Sequence, residues 1–149
     1  MACAELWLCL HFFGLPLTVF EESDPARPTV VVQQRVVLYA NRDNLEPGLA
    51  LSTASSLHPD LQVLERAPER EAQALQALAY LAYSFTPAVS IAADNSLLLE
   101  IGGCRRLYRG INPLLEQLRA VLQERGHEAW FGLASTPRAA WLLARHPHA

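Results

Sequence analysis

This 149-residue chain predicts an α+β fold in which a mixed β-sheet carries helices on one face. Three observations carry that prediction. An apolar strand candidate, LWLCLHFF, stands at the start; two amphipathic segments, EREAQALQALAYLAYSF and INPLLEQLRAVLQERG, each lie between strand candidates; and a hairpin pattern, VSIAADNSLLLEI, separates those two segments. Helices alternating with hairpin-connected strands describe a split βαβ, ferredoxin-like sheet with the first strand at its centre. A hydrophobic content of 51% is enough to build one compact core.

Residues 5 to 12 are apolar almost throughout, as in a strand covered on both faces. Gly14 and Pro16 turn the chain, a short apolar stretch ends at Glu21 and Glu22, and Pro25 and Pro28 mark a loop. Thr29 to Val32 and Val36 to Tyr39 are β-branched runs separated by Gln33, Gln34 and Arg35, which reads as a hairpin. Pro47 and Gly48 open a short helix over 49–57, with Ser52 or Thr53 as possible caps and His58-Pro59 as its stop. Leu61 to Leu64 is a short strand candidate. Pro68 begins the longest helix, with Leu75, Leu78, Ala79 and Ala82 on one face, and Pro87 stops it. Val89 to Ala92, a turn at Asp94-Asn95 and Leu97 to Ile101 form the second hairpin, ended by Gly102 and Gly103. The next helix takes Asn112 as N-cap, Pro113 at its first position and Gly126 as C-cap. Ala129 to Leu133 is a strand, and TPRAAWLLAR is a last helix capped by Thr136 with Pro137 at N1.

Composition excludes several classes. A formal net charge of −3 supplies no global field for a polyanion. All twelve basic residues are arginine, so Schiff-base chemistry, a lysine base and a P-loop lysine are absent. Cys3, Cys9 and Cys104 form neither a CxxC pair nor an even set, which indicates no disulfide framework or structural zinc and fits a reducing, cytoplasmic setting. The N-terminal run reads poorly as an export signal, with Glu5 as its only preceding charge, and it is too short to span a bilayer.

Candidate chemistry is sparse. Asp94 with Glu100, or Glu21 with Glu22, would be paired carboxylates, but a turn, an outward strand position and a charged loop account for them. His11 lacks a second histidine at ligand spacing and reads as a hydrogen-bonded strand residue; His146 and His148 flank Pro147 near the terminus. Ser90 and Ser135 have no evident base partner. Arg105, Arg106 and Arg109 follow a strand end and fit either phosphate contacts or a solvated loop.

In order along the chain, LWLCLHFFGLPLTVFE, LEPGLALSTASSLHPDLQVLER, FTPAVSIAADNSLLLEIGG and GLASTPRAAWLLAR resemble the N-terminal half of the Y-family DNA polymerases, above all the polymerase-like member of a bacterial mutagenesis cassette. The resemblance implies a ferredoxin-like palm over 1–12 and 62–149, a small helical fingers insertion over 13–61, and no thumb or little-finger domain in this chain. It also exposes departures. Family members carry metal-binding aspartates in a DxDxFFA phrase, where Cys9 and His11 stand here, and an Asp-Glu pair where Ala92 and Ala93 stand. Pro137 and Trp141 replace the triphosphate-gripping lysines, and Arg42 alone remains near the nucleotide-binding position of the fingers.

Neither alanine nor a neutral thiol replaces the hard oxygen ligands that magnesium needs. The resemblance with these losses implies a non-catalytic accessory in error-prone translesion synthesis after DNA damage, without a cofactor and truncated or partial as a chain. Its implied partners are an error-prone replicative-type DNA polymerase, a RecA-like cassette protein and the sliding clamp, with weak or indirect DNA contact and no membrane. Two alternatives stand beside it. An active, magnesium-dependent translesion polymerase has the same fold, and an unrelated ferredoxin-like binding domain has the same element order. The polymerase-like reading places Cys9 and Ala92 on neighbouring strands and fails if they are not, whereas the unrelated binding domain predicts no convergence of residues 9, 92 and 93.

Overall fold

The computed structural model describes residues 5–21, 23–104 and 109–146. In chain order its elements are β1 (Trp7–His11), α1 (Leu15–Thr18), β2 (Thr29–Gln33), β3 (Val36–Ala40), α2 (Leu51–Leu57), β4 (Gln62–Glu65), α3 (Pro68–Ala82), β5 (Val89–Ala92), β6 (Ser96–Glu100), a 3-10 turn (Gly102–Cys104), α4 (Ile111–Glu124), β7 (Trp130–Ala134) and α5 (Pro137–Ala144). The chain divides into two compact units, Met1–Phe13 with Ala72–Ala149, and Gly14–Glu71.

The first unit is built on a four-stranded sheet in the order β5-β6-β1-β7. Its central strand is the apolar run that opens the sequence, with Leu8, Cys9 and Leu10 at most 1% exposed, so both faces are covered. The β5–β6 hairpin turns on three residues, Ala93, Asp94 and Asn95, the last two at positive φ (61° and 50°). The sheet is antiparallel at every pairing. The expectation of a mixed sheet here is thereby corrected, because β4 does not join it.

Helices cover both faces of this sheet, which corrects the one-face expectation. Arg119 of α4 stacks its guanidinium 3.9 Å from the Phe131 ring, and Phe131 pairs with Leu10, so α4 lies on the face of Leu8, Leu10 and Phe131. Side chains alternate along a strand. Cys9 and Gly132 therefore point the other way, where Cys9 packs with Ala140 and Ala144 of α5. Gly132 is what lets α5 sit so low. A Cβ there would collide with the Ala140 carbonyl oxygen and the Ala144 amide nitrogen.

Helix ends follow local chemistry. Thr136 accepts from the Ala139 amide at 3.2 Å, with Pro137 in the first turn, as the sequence predicts for α5. Gly126 (φ 77°) follows the C-cap of α4, and the His127 amide donates to the Leu122 carbonyl at 2.9 Å, closing a Schellman motif. Asn112 is not the cap of α4: the helix starts at Ile111, two residues before the expected first position at Pro113, after Gly110 at φ 119°. Neither Ser52 nor Thr53 caps α2, whose N-cap is Ala50 with no side-chain bond.

The second unit is a three-stranded sheet in the order β3-β2-β4, with α1 and α2. Gln34 and Arg35, at φ 52° and 64°, turn the β2–β3 hairpin. β4 pairs in parallel with β2, Val30 opposite Val63, so residues 62–65 belong to this sheet and not to the palm-like one. The reason is burial. Thr29, Val30, Val31 and Val32 are all 0% exposed, and such a strand needs a ladder on each side. Val30, Val32, Val37, Leu45 and Ala54 form the core of this unit. Arg66 donates through Nε and Nη2 to both carboxylate oxygens of buried Glu71 (3.1 and 3.2 Å), a bidentate pair at the start of α3.

Gly132→Ala destabilises the protein by about 3 kcal/mol or more in urea unfolding, because the backbone of α5 must lift from the sheet. Gly103→Ala, where the added methyl meets open space, changes the same curve by ~0.5 kcal/mol or less.

Candidate functional site

The face of the first sheet beneath α5 holds two of the residues singled out from the sequence. Cys9 and His11 lie on it because they are two apart on β1. Opposite them β6 presents Leu98 to Cys9 and Ser96 to His11. Ser96 is fully buried; its hydroxyl donates to the Asp94 carbonyl (3.0 Å) and lies 3.2 Å from His11 Nδ1. The Ser96 hydroxyl is thus shared between the Asp94 carbonyl and the His11 ring. The His11 ring also tilts against Trp130 with centroids 5.8 Å apart.

The site is held neutral. Burial pushes the Cys9 thiol up from 9.0 to about 11, against smaller downward pulls from the Ser96 hydroxyl and the Arg145 charge. Burial also lowers His11, and Arg145 adds to that, while Asp94 acts the other way. Both groups are therefore uncharged near neutral pH.

Ala92 and Ala93 stand apart from Cys9. Ala92 pairs with Ser96, and Ser96 with His11, so β6 separates β5 from β1. The expectation that Cys9 and Ala92 share neighbouring strands is corrected: the three-residue turn carries the chain past the site, and the residue beside His11 is Ser96, four positions on from Ala92. On that count the placement runs against the polymerase-like reading, which therefore has to rest on other observations. Sequence reading passed over Ser96 because a lone serine at a strand start carries no motif; its position opposite His11 follows only from the register.

The turn and α5 are joined instead. Ala93 offers its carbonyl to Trp141 Nε1 at 3.1 Å, and Asp94 forms an ion pair with Arg145. Arg145 also stacks over Trp141, 3.7 Å from its ring centroid. Trp141 therefore spends its only donor within the fold, and Pro137 serves the first turn of α5. Glu100 is not an outward strand residue: one of its oxygens accepts from the Leu6 amide (3.1 Å) and the Gly102 amide (2.7 Å).

Other candidates lie elsewhere. Arg42 donates to the carbonyls of Asn41 (3.1 Å) and Ala26 (2.9 Å) within the second unit. Arg109 is exposed at φ 58°, while Arg105, Arg106, Glu22 and His148 lie outside the described residues. Glu21, Ser90, Ser135 and His146 are exposed. A cavity of about 200 Å³ lined by Phe13, Arg119, His127, Trp130 and Phe131 includes none of Cys9, His11 or Ser96.

A magnesium ion wants several oxygen donors, carboxylates foremost. The donors gathered here are a neutral thiol, an imidazole and a hydroxyl, and the adjacent carboxylate, Asp94, is engaged by Arg145. They do not fit that ion. Among the described residues no group of three or more His, Cys, Asp or Glu is clustered, and no buried side-chain nitrogen or oxygen lacks a partner.

Two pH effects follow. Cys9 holds its proton more tightly folded than unfolded, so the stability it contributes is full below pH 9.0 and is lost as pH rises toward about 11. Urea unfolding across that window shows a loss of about 2–3 kcal/mol that Cys9→Ala abolishes. His11 and His127 are both lowered from 6.5, so unfolded chains bind more protons and stability falls as pH drops below 6.5. His11→Gln reduces that acid slope.

Comparisons with known proteins place these observations. Residues 11–145 match the IMS family, described as impB/mucB/samB. Over 101 residues the chain is 38% identical to Protein ImuB of Caulobacter vibrioides, a stretch covering 68% of this chain and 22% of that relative. The match thus spans under a quarter of the curated relative. Among solved structures, a Dbh ternary complex aligns with a TM-score of 0.75 at 16% identity, covering 95% of this chain and 45% of that one. DinB from Sulfolobus solfataricus aligns at 0.69 and 16% identity, with coverages of 95% and 45%. At such identities the likeness is one of fold.

Proposed function

Since the chain belongs to the impB/mucB/samB family and has the palm-and-fingers fold of Y-family polymerases, we propose that it is the corresponding part of a polymerase-like protein that no longer transfers nucleotides. In this reading it acts as an accessory in error-prone translesion synthesis after DNA damage, in the bacterial cytoplasm. The observation that carries the reading is the seating of Cys9. A side chain at that position meets Ala140 and Ala144, so it faces protein where a polymerase needs a carboxylate facing metal and triphosphate.

Loss of ligands on both sides of the reaction supports the same reading. Ala92 and Ala93 bring no carboxylate, Trp141 bonds the Ala93 carbonyl, and Arg42 is tied to backbone carbonyls of its own unit. The implied partners are an error-prone replicative-type polymerase, a RecA-like protein and the sliding clamp, with DNA contact weak or indirect. Among the described residues no helix is long and apolar enough to cross a membrane.

The competing reading, an active translesion polymerase, is separated by one assay. Full-length protein incubated with primer-template DNA, four deoxynucleotides and magnesium or manganese gives no extension. In cells lacking the gene, the same protein restores damage-induced mutagenesis, and so does its Cys9→Ala variant. Primer extension, or loss of mutagenesis in Cys9→Ala at unchanged protein level, overturns the proposal.

A further inference from the structure

We propose that Asp94, Arg145 and Trp141 form a latch that closes α5 over Cys9. α5 has only eight residues, too few for a helix to persist without tertiary contacts. It uses two stripes at helical spacing. Ala140 and Ala144 sit against Cys9, while Trp141 and Arg145, also four apart, reach the β5–β6 turn.

The three contacts depend on one another. The Trp141 indole donates to the Ala93 carbonyl (3.1 Å) and at the same time forms the platform for the Arg145 guanidinium (3.7 Å), which is thereby held against Asp94. Asp94 is in turn fixed by the left-handed conformation of the turn (φ 61°). Only arginine serves both contacts, since its plane stacks on the ring while its edge pairs with the carboxylate. The latch spans from a helix to a turn on strands far away in sequence, and the thiol it covers is 0% exposed. Release of α5 is the motion that exposes it, and exposure of the thiol reports the latch.

The test places Cys9 alone in the full chain, with Cys3 and Cys104 changed to serine, and follows its reaction with a disulfide reagent under native conditions and in low urea. Asp94→Asn keeps the positive-φ turn but removes the charge; Trp141→Phe keeps a ring but removes the donor. Each raises the Cys9 labelling rate severalfold, and the double variant raises it less than the product of the two. The urea dependence of labelling stays far below that of global unfolding, as for a local opening. High salt speeds labelling in the parent and not in Asp94→Asn, because only the parent has the exposed ion pair to screen. Labelling that follows global unfolding in every variant overturns the latch, as does strict multiplicativity of the two substitutions. An unchanged salt response in Asp94→Asn does so as well. Should Trp141→Phe fail to fold, Arg145→Lys takes its place with the same expected direction.

Discussion

The low seating of α5 on β7 governs what the first sheet can do. Gly132 has no side chain, and the backbones of Ala140 and Ala144 occupy the space a Cβ would take. A helix that close to the sheet leaves room for only small or apolar groups beneath it, and Cys9 is such a group. Packing at near-crystalline density transmits the constraint. The thiol stays protonated, His11 turns to Ser96, and the helix is brought within reach of the β5–β6 turn. In a site of this kind a carboxylate at position 9 would be buried against Ala140 and Ala144, with the nearby Arg145 charge already paired to Asp94, which is costly.

The carboxylates near this face are employed in holding backbone and arginine. Glu100 accepts two amides where β6 ends and β1 begins, and Asp94 pairs with Arg145. Arg66 and Glu71 do the same in the second unit. The absence of lysine from the sequence acquires a physical meaning here. Arginine is weakly hydrated and planar, so it can stack on Phe131 or Trp141 and keep its charge in a partly buried setting. A surface rich in lysine would favour phosphate contact as point charges; this chain instead folds several of its cations onto its own rings.

Much of the fold was legible because strong local signals coincide with real boundaries. The hairpins at Gln34-Arg35 and Asp94-Asn95, the helix starts at Pro68 and Thr136 and the glycine after α4 all act within a few residues of themselves. What was not legible depends on pairing at a distance. Nothing local tells β4 to pair with β2 and leave the palm-like sheet, and nothing in TPRAAWLLAR says that its helix lies opposite α4. Of the candidate site, Cys9 and His11 could be picked out as departures from a family phrase. Ser96 could not, since its role comes from register opposite His11, and Glu100 read as outward because strand alternation alone ignores the loop that bends back to use its oxygen.

The central claim is that the face holding Cys9, His11 and Ser96 is a closed, neutral core and not a place for a hard cation. Manganese tests it most directly, since it takes the same oxygen-rich sites as magnesium and its unpaired electrons broaden nearby nuclear resonances. A titration of the isotopically labelled chain with manganese chloride should leave the amide signals of Cys9, His11 and Ser96 no broader than those of buried residues in the second unit, such as Val30 and Ala54. Selective broadening of those three signals at low manganese concentration, relieved by added magnesium, would contradict the account.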